Sequence, residues 1–187
     1  GAGGGTSAYT AEIARIVQAG HGVPALAHLT CVSSTRDRIH QELKHLQDAG
    51  VENILALRGD YPDGYDPTAP RDFRYAADLI REIREYGGFC IGAACYPEGH
   101  VESHSQEEDL IHLKEKVDCG VDFLTTQMFF DNSALYSFLF RAQRMGIDLP
   151  ILAGIMPVTN ATQMTRILSL SGTTLPTRFR MILDKFR

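Results

Sequence analysis

Polar and charged residues follow a series of apolar runs along the sequence, at the positions where the runs end. They are His28 and Thr30; Arg58 and Asp60; Tyr96, Glu98 and His100; Thr126 and Gln127; and Thr159 and Asn160. Arg58, His100 and Lys116 are of the residue types that bind a phosphate or diphosphate. Asp60 and Gln127 suit an uncharged polar heterocycle. These residue types predict a site for a phosphorylated cofactor with a polar ring system.

Two other kinds of chemistry fit the sequence less well. A serine hydrolase needs a nucleophile elbow with a histidine and a carboxylate in order, and no such arrangement occurs. His100, His104 and His112 could suggest a metal, but their spacing matches no standard zinc pattern. We therefore expect neither a serine nucleophile nor a bound metal.

Several of these residues also have purely structural interpretations. His28 can be a hydrogen-bonded structural residue, and the segment YPEGH (96–100) can be only a turn built on Pro97 and Gly99. Gln127 can simply satisfy backbone groups at the end of a strand. A functional role is favoured because five strand ends carry such residues together.

The tripeptide Arg58-Gly59-Asp60 has three possible interpretations: an adhesion motif, a chance surface turn, or charge placed at a site. An adhesion motif requires a secreted protein, which the cysteines disfavour. The tripeptide follows an apolar run, so it is predicted to be a loop at a strand end whose charges project into a site. Gly59 would let the backbone approach a ligand closely.

The five apolar runs have the pattern of strands that are buried on both faces of a parallel sheet. They are continuous rather than alternating and span residues 24–30, 53–59, 89–95, 122–128 and 151–157.

Helical patterns lie between the strands, each with one apolar face. Ser34 is the expected cap of the first helix, and Ser105 with Glu108 predicts a capping box for the third. The apolar faces contain Ile39, Leu43 and Leu46; Phe73, Ala77, Ile80 and Ile83; Leu110, Leu113 and Val117; Leu135, Phe138, Leu139 and Ala142; and Met164, Ile167 and Leu168. Many of these helices are predicted to end at a glycine: Gly50, Gly87, Gly120 and Gly146.

This βα repetition leaves two architectures, a (β/α)8 barrel and a doubly wound sheet. The barrel is favoured because no strand leads into a G-x-G-x-x-G turn and because every strand, not only one or two, ends in polar residues. A complete barrel needs about 250 residues. We therefore predict an α/β fold, a TIM barrel that is incomplete in this chain, lacking early strands and the last strand. Residues 1–187 are predicted to form a single catalytic-barrel fragment, with no linker or low-complexity segment.

Composition restricts the partners and the compartment. The net charge is −5, the pI is near 5.8 and no Lys/Arg-rich run occurs, which disfavours nucleic acid and anionic membranes as partners. No apolar stretch is long enough to span a bilayer, and the N-terminal residues do not resemble a signal peptide. None of the four cysteines forms a C-x-x-C pair, so we expect free thiols in a reducing cytoplasm.

Five long segments together resemble the methylenetetrahydrofolate reductase family. They are AHLTC (27–31), NILALRGD (53–60), YPEGH (96–100), DLIHLKEKVDCGVDFLTTQMFFD (109–131) and PILAGIMPVTN (150–160). The resemblance implies a barrel enzyme that transfers a hydride from NADH or NADPH to FAD. The reduced FAD then reduces 5,10-methylenetetrahydrofolate to 5-methyltetrahydrofolate in a ping-pong sequence. A cytoplasmic homo-oligomer is expected.

The resemblance also implies roles for individual residues. Asp60 and Gln127 would be catalytic: the Asp60 carboxylate would lie against the flavin ring, favour hydride departure and stabilise a cationic iminium form of the folate. Gln127 would hydrogen-bond the pterin, and Gln163 would also reach the substrate. Arg58 and Lys116 would pair with the diphosphate. The residues implied to line the FAD site are Ala2, His28, Arg58, Gly59, Asp60, Tyr96, His100, Asp109, His112 and Lys116, with Tyr75 or Ala76.

Three departures from the family pattern accompany this resemblance. The glutamate that protonates the folate belongs to the first strand, which we expect this chain to lack. The final strand, with its Tyr and Arg contacts, is also expected to be missing, and Ile167 stands where an aromatic residue often stacks on the substrate. Two alternatives stay open: another FAD-binding barrel, such as a proline-dehydrogenase-like enzyme, and a flavin- or folate-binding module without turnover.

Overall fold

Helices and strands alternate along the chain in the computed structural model, which describes residues 9–61, 64, 66, 70–158, 164, 167–168 and 171–185. In chain order they are α1 (Thr10–His21), β1 (Leu26–Thr30), α2 (Arg36–Asp48), β2 (Asn53–Leu57), α3 (Ala76–Tyr86), β3 (Cys90–Cys95), α4 (Gln106–Asp118), β4 (Phe123–Thr126), α5 (Asn132–Arg144), β5 (Ile151–Leu152) and α6 (Thr177–Lys185). The alternation predicted from the sequence is confirmed for these elements.

The chain divides into two compact units. The first contains Gly1–Ala94 and Lys116–Phe123, and the second contains Cys95–Glu115 and Leu124–Arg187. The strands keep the order of the chain, β1-β2-β3 in the first unit and β4-β5 in the second. The single catalytic fragment predicted for residues 1–187 stays a prediction.

In the first unit the strands are parallel, and the centres of β2 and β3 are buried. The prediction of burial on both faces is wrong for β1, in which buried and exposed residues alternate and the central His28 is exposed. The register of β1 on β2 runs from Leu26 opposite Asn53 to Thr30 opposite Leu57. Three consecutive residues of β2, Ile54 to Ala56, are buried, as the continuous apolar run predicted. Helix α2 buries Ile39, Leu43 and Leu46, the face predicted from their spacing.

In the second unit β4 and β5 are parallel, and β5 is shorter than predicted. Leu124 lies opposite Ile151 and Thr125 opposite Leu152, after which the pairing stops. The backbone N–H of Gly154 donates to the Thr126 hydroxyl at 2.8 Å instead of to a strand carbonyl. The apolar composition of residues 151–157 therefore predicted a longer strand than the hydrogen bonds allow.

Helix ends follow the sequence signals with two departures. The cap of α2 is Thr35, not Ser34: its hydroxyl accepts a hydrogen bond from the Arg38 N–H at 3.3 Å. At α4 the Ser105 hydroxyl accepts from the Glu108 N–H at 3.1 Å, as the capping box predicted. The Glu108 carboxylate reaches one residue further back than that motif predicts, to the N–H of His104. Gly50, Gly87, Gly120 and Gly146, the predicted helix ends, all have positive φ angles.

Helix α1 was not expected from the sequence. Of its residues only Ala14 is buried, whereas Ile13 and Ile16 are 60% and 54% exposed. Its apolar residues therefore do not form the single buried face that identifies an amphipathic helix. The predicted helix through Met164, Ile167 and Leu168 falls partly outside the described residues, and Met164 itself is buried.

Two side-chain contacts hold α3, β3 and the segment before β4 together in the first unit. Arg84 donates from Nε to the Gly120 carbonyl at 2.6 Å and pairs with Asp122, whose carboxylate also accepts from the Ile91 N–H at 2.7 Å. The ring of Phe123 covers Gly92 so closely that a Cβ added to Gly92 would lie 2.3 Å from the ring. Position 92 therefore requires glycine because the Phe123 ring lies so close to it, and not because of its φ and ψ angles.

The four cysteines are free thiols, as predicted, with Cys31 and Cys95 buried. Among the helices of the described residues, none has both the length and the apolar character required to cross a bilayer.

Candidate functional site

The loop after β2 carries the tripeptide Arg58-Gly59-Asp60, at the strand end where the sequence placed it. Gly59 has a φ of +88°, a left-handed conformation that favours glycine, so the chain turns sharply here. Asp60 is exposed, and the Arg58 guanidinium carbon lies 4.4 Å from the centre of the Tyr61 ring, a cation–π distance. The loop therefore presents one carboxylate to solvent and holds one cation against an aromatic ring.

Cys31 fixes the position of this loop. The backbone N–H groups of Cys31 and Val32 donate to the Arg58 carbonyl at 3.2 and 2.7 Å. The Cys31 thiol lies 3.8 Å from the same carbonyl and 3.7 Å from the carbonyl of Tyr75. The buried thiol thus joins the loop after β2 to the start of α3.

Burial raises the pKa of the Cys31 thiol to about 12, with the Asp78 carboxylate adding to the effect. A thiol with this pKa stays protonated near neutral pH and can donate to either carbonyl. Sequence reasoning treated Cys31 only as a buried free thiol and missed its organising role. Its place directly after the last residue of β1 was the signal that could have identified it.

Tyr75 and Ala76 form the start of α3. Tyr75 is 63% exposed, and its backbone N–H donates to the Asp78 carboxylate at 3.0 Å. The N–H of Arg74 donates to the same carboxylate oxygen at 2.9 Å. Asp78 therefore satisfies two backbone donors at the helix start and leaves the Tyr75 ring accessible to a ligand.

His28 lies in the middle of β1, opposite Leu55 of β2, and is exposed. Partial desolvation lowers its pKa from the ordinary value of 6.5, which favours the neutral imidazole. A neutral ring has one N–H donor and one acceptor nitrogen, so it can bind a polar ring system without bringing a charge.

Lys116, near the end of α4, belongs to the first unit. Its ammonium donates to the Ala94 carbonyl of β3 at 2.6 Å. This bond uses one of three N–H donors and holds the positive charge at the C-terminal part of the strand.

In the second unit the segment YPEGH brings together two predicted site residues, Tyr96 and His100. Their rings meet edge to face, with centres 4.7 Å apart and planes at 81°. The His100 Nδ1 accepts a hydrogen bond from the Glu102 N–H at 3.1 Å. In the neutral ring the proton is then on Nε2, which makes Nε2 the donor nitrogen of the ring.

Glu98 of the same segment has a role that sequence reasoning did not assign. Its carboxylate oxygens accept from the Thr174 N–H at 3.0 and 3.2 Å, and its carbonyl accepts from the Gln106 side chain at 3.0 Å. Glu98 therefore fixes the loop that carries Tyr96 and His100. The sequence signal was a carboxylate inside a turn motif, which does not reveal a partner 76 residues away.

Helix α4 also carries Asp109 and His112, and it places these two predicted site residues differently. Asp109 is buried, and the Ser103 hydroxyl lies 3.4 Å from its carboxylate. His112 is exposed and lies 3.3 Å from the Glu115 carboxylate in the next turn. Asp109 thus has a fixed position in the first turn of α4, whereas His112 lies on its surface.

Gln127 directly follows β4, and its side chain both caps the strand and carries further hydrogen-bonding groups. Its N–H donates to the Cys95 carbonyl at 2.7 Å, and its side-chain carbonyl accepts from the Met128 N–H at 3.0 Å. The amide group also carries two N–H donors and a second lone pair on the oxygen. The side chain therefore caps the strand through one atom and offers further groups to a ligand.

Ala2 and Gln163, with the strand-end residues Thr159 and Asn160, lie outside the described residues. Within the described part of the chain, no group of three or more His, Cys, Asp or Glu side chains could hold a metal ion.

Comparisons with known sequences agree with the resemblance noted above. The family model for methylenetetrahydrofolate reductase matches residues 1–187. The chain is 40% identical over 182 residues to methylenetetrahydrofolate reductase 1 of Schizosaccharomyces pombe, covering 96% of this chain and 30% of that protein. It is 35% identical over 185 residues to the 5,10-methylenetetrahydrofolate reductase of Pectobacterium carotovorum, covering 98% of this chain and 60% of that protein. The chain thus spans about a third of the first relative and three fifths of the second.

Comparisons with solved structures concern the fold alone, because the identities are low. A Clostridium thermocellum protein described as binding two copies of 5-methyl-5,6,7,8-tetrahydrofolic acid superposes with a TM-score of 0.59 at 15% identity, covering 92% of this chain and 59% of the other. A 2,3-dimethylmalate lyase superposes with a TM-score of 0.60 at 13% identity, covering 95% and 55%. These likenesses confirm the predicted fold class, an α/β fold of the TIM-barrel type that is incomplete in this chain.

Proposed function

Because the chain belongs to the methylenetetrahydrofolate reductase family, we propose that its protein reduces 5,10-methylenetetrahydrofolate to 5-methyltetrahydrofolate. The observation that carries the proposal is the match of the family model along the whole of residues 1–187, supported by relatives of that name at 34–40% identity. NADH or NADPH is the proposed hydride donor and FAD the proposed cofactor, in a ping-pong sequence. FAD, when bound, supplies a carrier that accepts two electrons from the nicotinamide and passes them to the folate.

The donors and acceptors of the described residues fit FAD. A diphosphate requires cations and N–H donors, and Arg58 and Lys116 of the first unit are of these types. His100 is proposed as an FAD contact from the family resemblance. An isoalloxazine ring requires polar groups at its edge and flat contacts on its faces, for which the residues of the β2 loop and the exposed Tyr75 ring are suited.

We assign the remaining FAD contacts to residues at the same elements, all of them proposals. In the first unit they are His28, Gly59, Asp60 and Ala76; in the second they are Tyr96, Asp109 and His112. Ala2 and Gln163 are proposed for FAD and substrate respectively from the family resemblance.

Asp60 and Gln127 are the proposed catalytic residues. The Asp60 carboxylate is exposed at the end of a glycine turn, where it would oppose further negative charge on the bound cofactor and attract a cationic folate. The Gln127 amide would donate to and accept from the pterin while its oxygen also keeps the Met128 N–H bonded.

A three-step experiment on the full-length protein tests this proposal. The purified protein should show flavin absorbance, which NADH or NADPH should bleach without oxygen and methylenetetrahydrofolate should restore, with 5-methyltetrahydrofolate as the product. Failure of methylenetetrahydrofolate to restore the absorbance would reject the reductase. Restoration by proline-related or other acceptors instead would assign a different flavin enzyme, and a flavin that the nicotinamides never bleach would leave a binding module.

A further inference from the structure

The segment before α6, residues 171–175, buries every second side chain. Ser171, Thr173 and Leu175 are buried, whereas Gly172 and Thr174 between them are exposed. Buried positions are ordinarily apolar, yet two of these three carry a hydroxyl group. Burying a hydroxyl costs free energy unless it forms a hydrogen bond. The partners of these two hydroxyls therefore indicate what the segment does.

The Thr173 hydroxyl bonds to the backbone next to a proposed catalytic residue. Its Oγ1 donates to the Met128 carbonyl at 3.1 Å, and the Ser171 hydroxyl holds Thr173 itself by accepting from its N–H at 3.3 Å. The N–H of the same Met128 donates to the side-chain carbonyl of Gln127 at 3.0 Å. Both backbone groups of Met128 are therefore engaged, one by Gln127 and the other by Thr173.

The 171–175 segment is also attached to the segment YPEGH. The Thr174 N–H donates to both carboxylate oxygens of Glu98, at 3.0 and 3.2 Å. Gly172 lies so close to Val101 that an added Cβ would be 2.3 Å from the Val101 Cγ1. All of these residues belong to the second unit. The 171–175 segment thus contacts the chain after β4 and the YPEGH segment at once.

We infer that Thr173 is a positioning residue for the reduction of the folate. The inference rests on the proposed function, in which the Gln127 amide binds the pterin. The Gln127 backbone is fixed by its bond to the Cys95 carbonyl, but the direction of its side-chain amide depends on the Met128 N–H. The Thr173 hydroxyl fixes Met128 from the other side. A valine would fill the same space without this bond, so packing alone does not require a threonine here.

Thr173→Val tests the inference in the full-length protein, because it removes the hydroxyl with little change of shape. We expect the Met128 N–H to exchange with solvent deuterium at least about fivefold faster, measured at single-residue resolution. The kcat/KM for methylenetetrahydrofolate should fall roughly 2- to 12-fold, the worth of one hydrogen bond. The Kd for FAD and the rate of bleaching by NADH or NADPH should stay within about twofold of wild type.

Two further variants at this segment are the controls. Thr173→Ser keeps the hydroxyl, so it should restore both the slow exchange of the Met128 N–H and the kcat/KM for the folate. Thr174→Val removes the hydroxyl of the exposed neighbour and leaves the N–H that binds Glu98. It should change neither quantity.

A double variant separates positioning from a general loss of stability. In a Gln127→Glu background the amide that Thr173 orients is absent, so Thr173→Val should lower the folate kcat/KM by less than a further factor of about two. The inference is wrong if Thr173→Val leaves the exchange of the Met128 N–H unchanged, or if it lowers kcat/KM equally in both backgrounds. A wild-type protein that does not reduce the folate would contradict the proposed function. An active wild type with an equally active Thr173→Val would contradict only the inference.

Discussion

The rings of Tyr96 and His100 meet edge to face at 4.7 Å while the His100 Nδ1 accepts from the Glu102 N–H. Packing and hydrogen bonding together set the orientation of the imidazole, and the neutral ring then carries its proton on Nε2. The two interactions can be separated by substitution, and this allows a specific test of the proposed FAD contact.

His100→Asn keeps an acceptor near the position of Nδ1 and removes Nε2. We expect the variant to retain its melting temperature and to bind FAD more weakly by about 1.5–3 kcal/mol, the worth of a hydrogen bond to a charged group, or roughly 10- to 150-fold in Kd. Fluorescence titration of the apoprotein with FAD measures the change. Equal FAD affinity in His100→Asn and wild type would remove His100 from the site.

Asp60→Asn removes one exposed negative charge from the loop after β2. Reoxidation by methylenetetrahydrofolate should slow by about tenfold or more, because a carboxylate no longer stabilises the cationic folate, whereas bleaching by NADH or NADPH should be less affected. Stopped-flow absorbance measures the two half-reactions separately. Asp37→Asn, exposed in the first turn of α2, controls for the loss of net charge. An undiminished folate half-reaction would contradict the proposed role.

Gln127→Glu separates capping from substrate binding. The carboxylate can still accept from the Met128 N–H but has no amide donor for a pterin. We expect a melting temperature near that of wild type and a loss of about 1–3 kcal/mol in kcat/KM for the folate, roughly 5- to 150-fold. Gln127→Ala, which removes both functions, should also lower the melting temperature. Normal kcat/KM in Gln127→Glu would show that the residue only caps β4.

The raised pKa of Cys31 predicts a specific dependence of stability on pH. The folded thiol ionises at about 12 against an ordinary value of 9.0, so the folded state retains a proton that the unfolded state releases. The contribution of Cys31 to stability is complete below pH 9 and decreases as the pH rises toward 12. Urea unfolding from pH 7 to pH 10.5 should show the wild-type advantage over Cys31→Ala narrowing above pH 9. A constant difference across that range would contradict the assignment.

Gly154→Ala should destabilise the second unit. A Cβ at this position would lie 2.2 Å from the Thr126 carbonyl oxygen, which belongs to the backbone and has little freedom to move. We expect a loss of about 1–3 kcal/mol or more in the free energy of unfolding. Gly20→Ala is the matched control, because it lies inside α1 with no atom within 4 Å of the added Cβ, and it should be stabilising by about 0.5–1 kcal/mol. Urea denaturation measures the free energy of unfolding of both variants. A Gly154→Ala variant as stable as wild type would show that the ends of β4 and β5 can move apart to admit the Cβ.

The strands and most helices were predictable because their signals are local. The buried centre of β2 appears as a continuous apolar run, and the buried face of α2 appears at helical spacing. Helix α1 gave no such signal, since Ile13 and Ile16 lie on its exposed surface. The short β5 could not be predicted either, because its end depends on the Thr126 hydroxyl, a residue on another strand.

The types of the site residues were predictable, but their hydrogen bonds were not. The sequence placed Arg58 and Gln127 at strand ends, where the structure has them. It could not show that the Cys31 thiol joins two backbone carbonyls or that Glu98 holds a segment 76 residues away. Such contacts join residues that are far apart in the sequence, and the spacing of apolar residues carries no information about them.

The close fit of the Phe123 ring over Gly92 makes these two positions dependent on each other in evolution. A side chain at position 92 has no room while Phe123 is present, yet a smaller residue at position 123 would open the space that Gly92→Ala needs. Phe123→Leu is therefore a permissive first step and Gly92→Ala a forbidden one, although the double variant is the same molecule by either route. The order of mutation therefore decides whether the intermediate is tolerated, although the final pair of residues is the same.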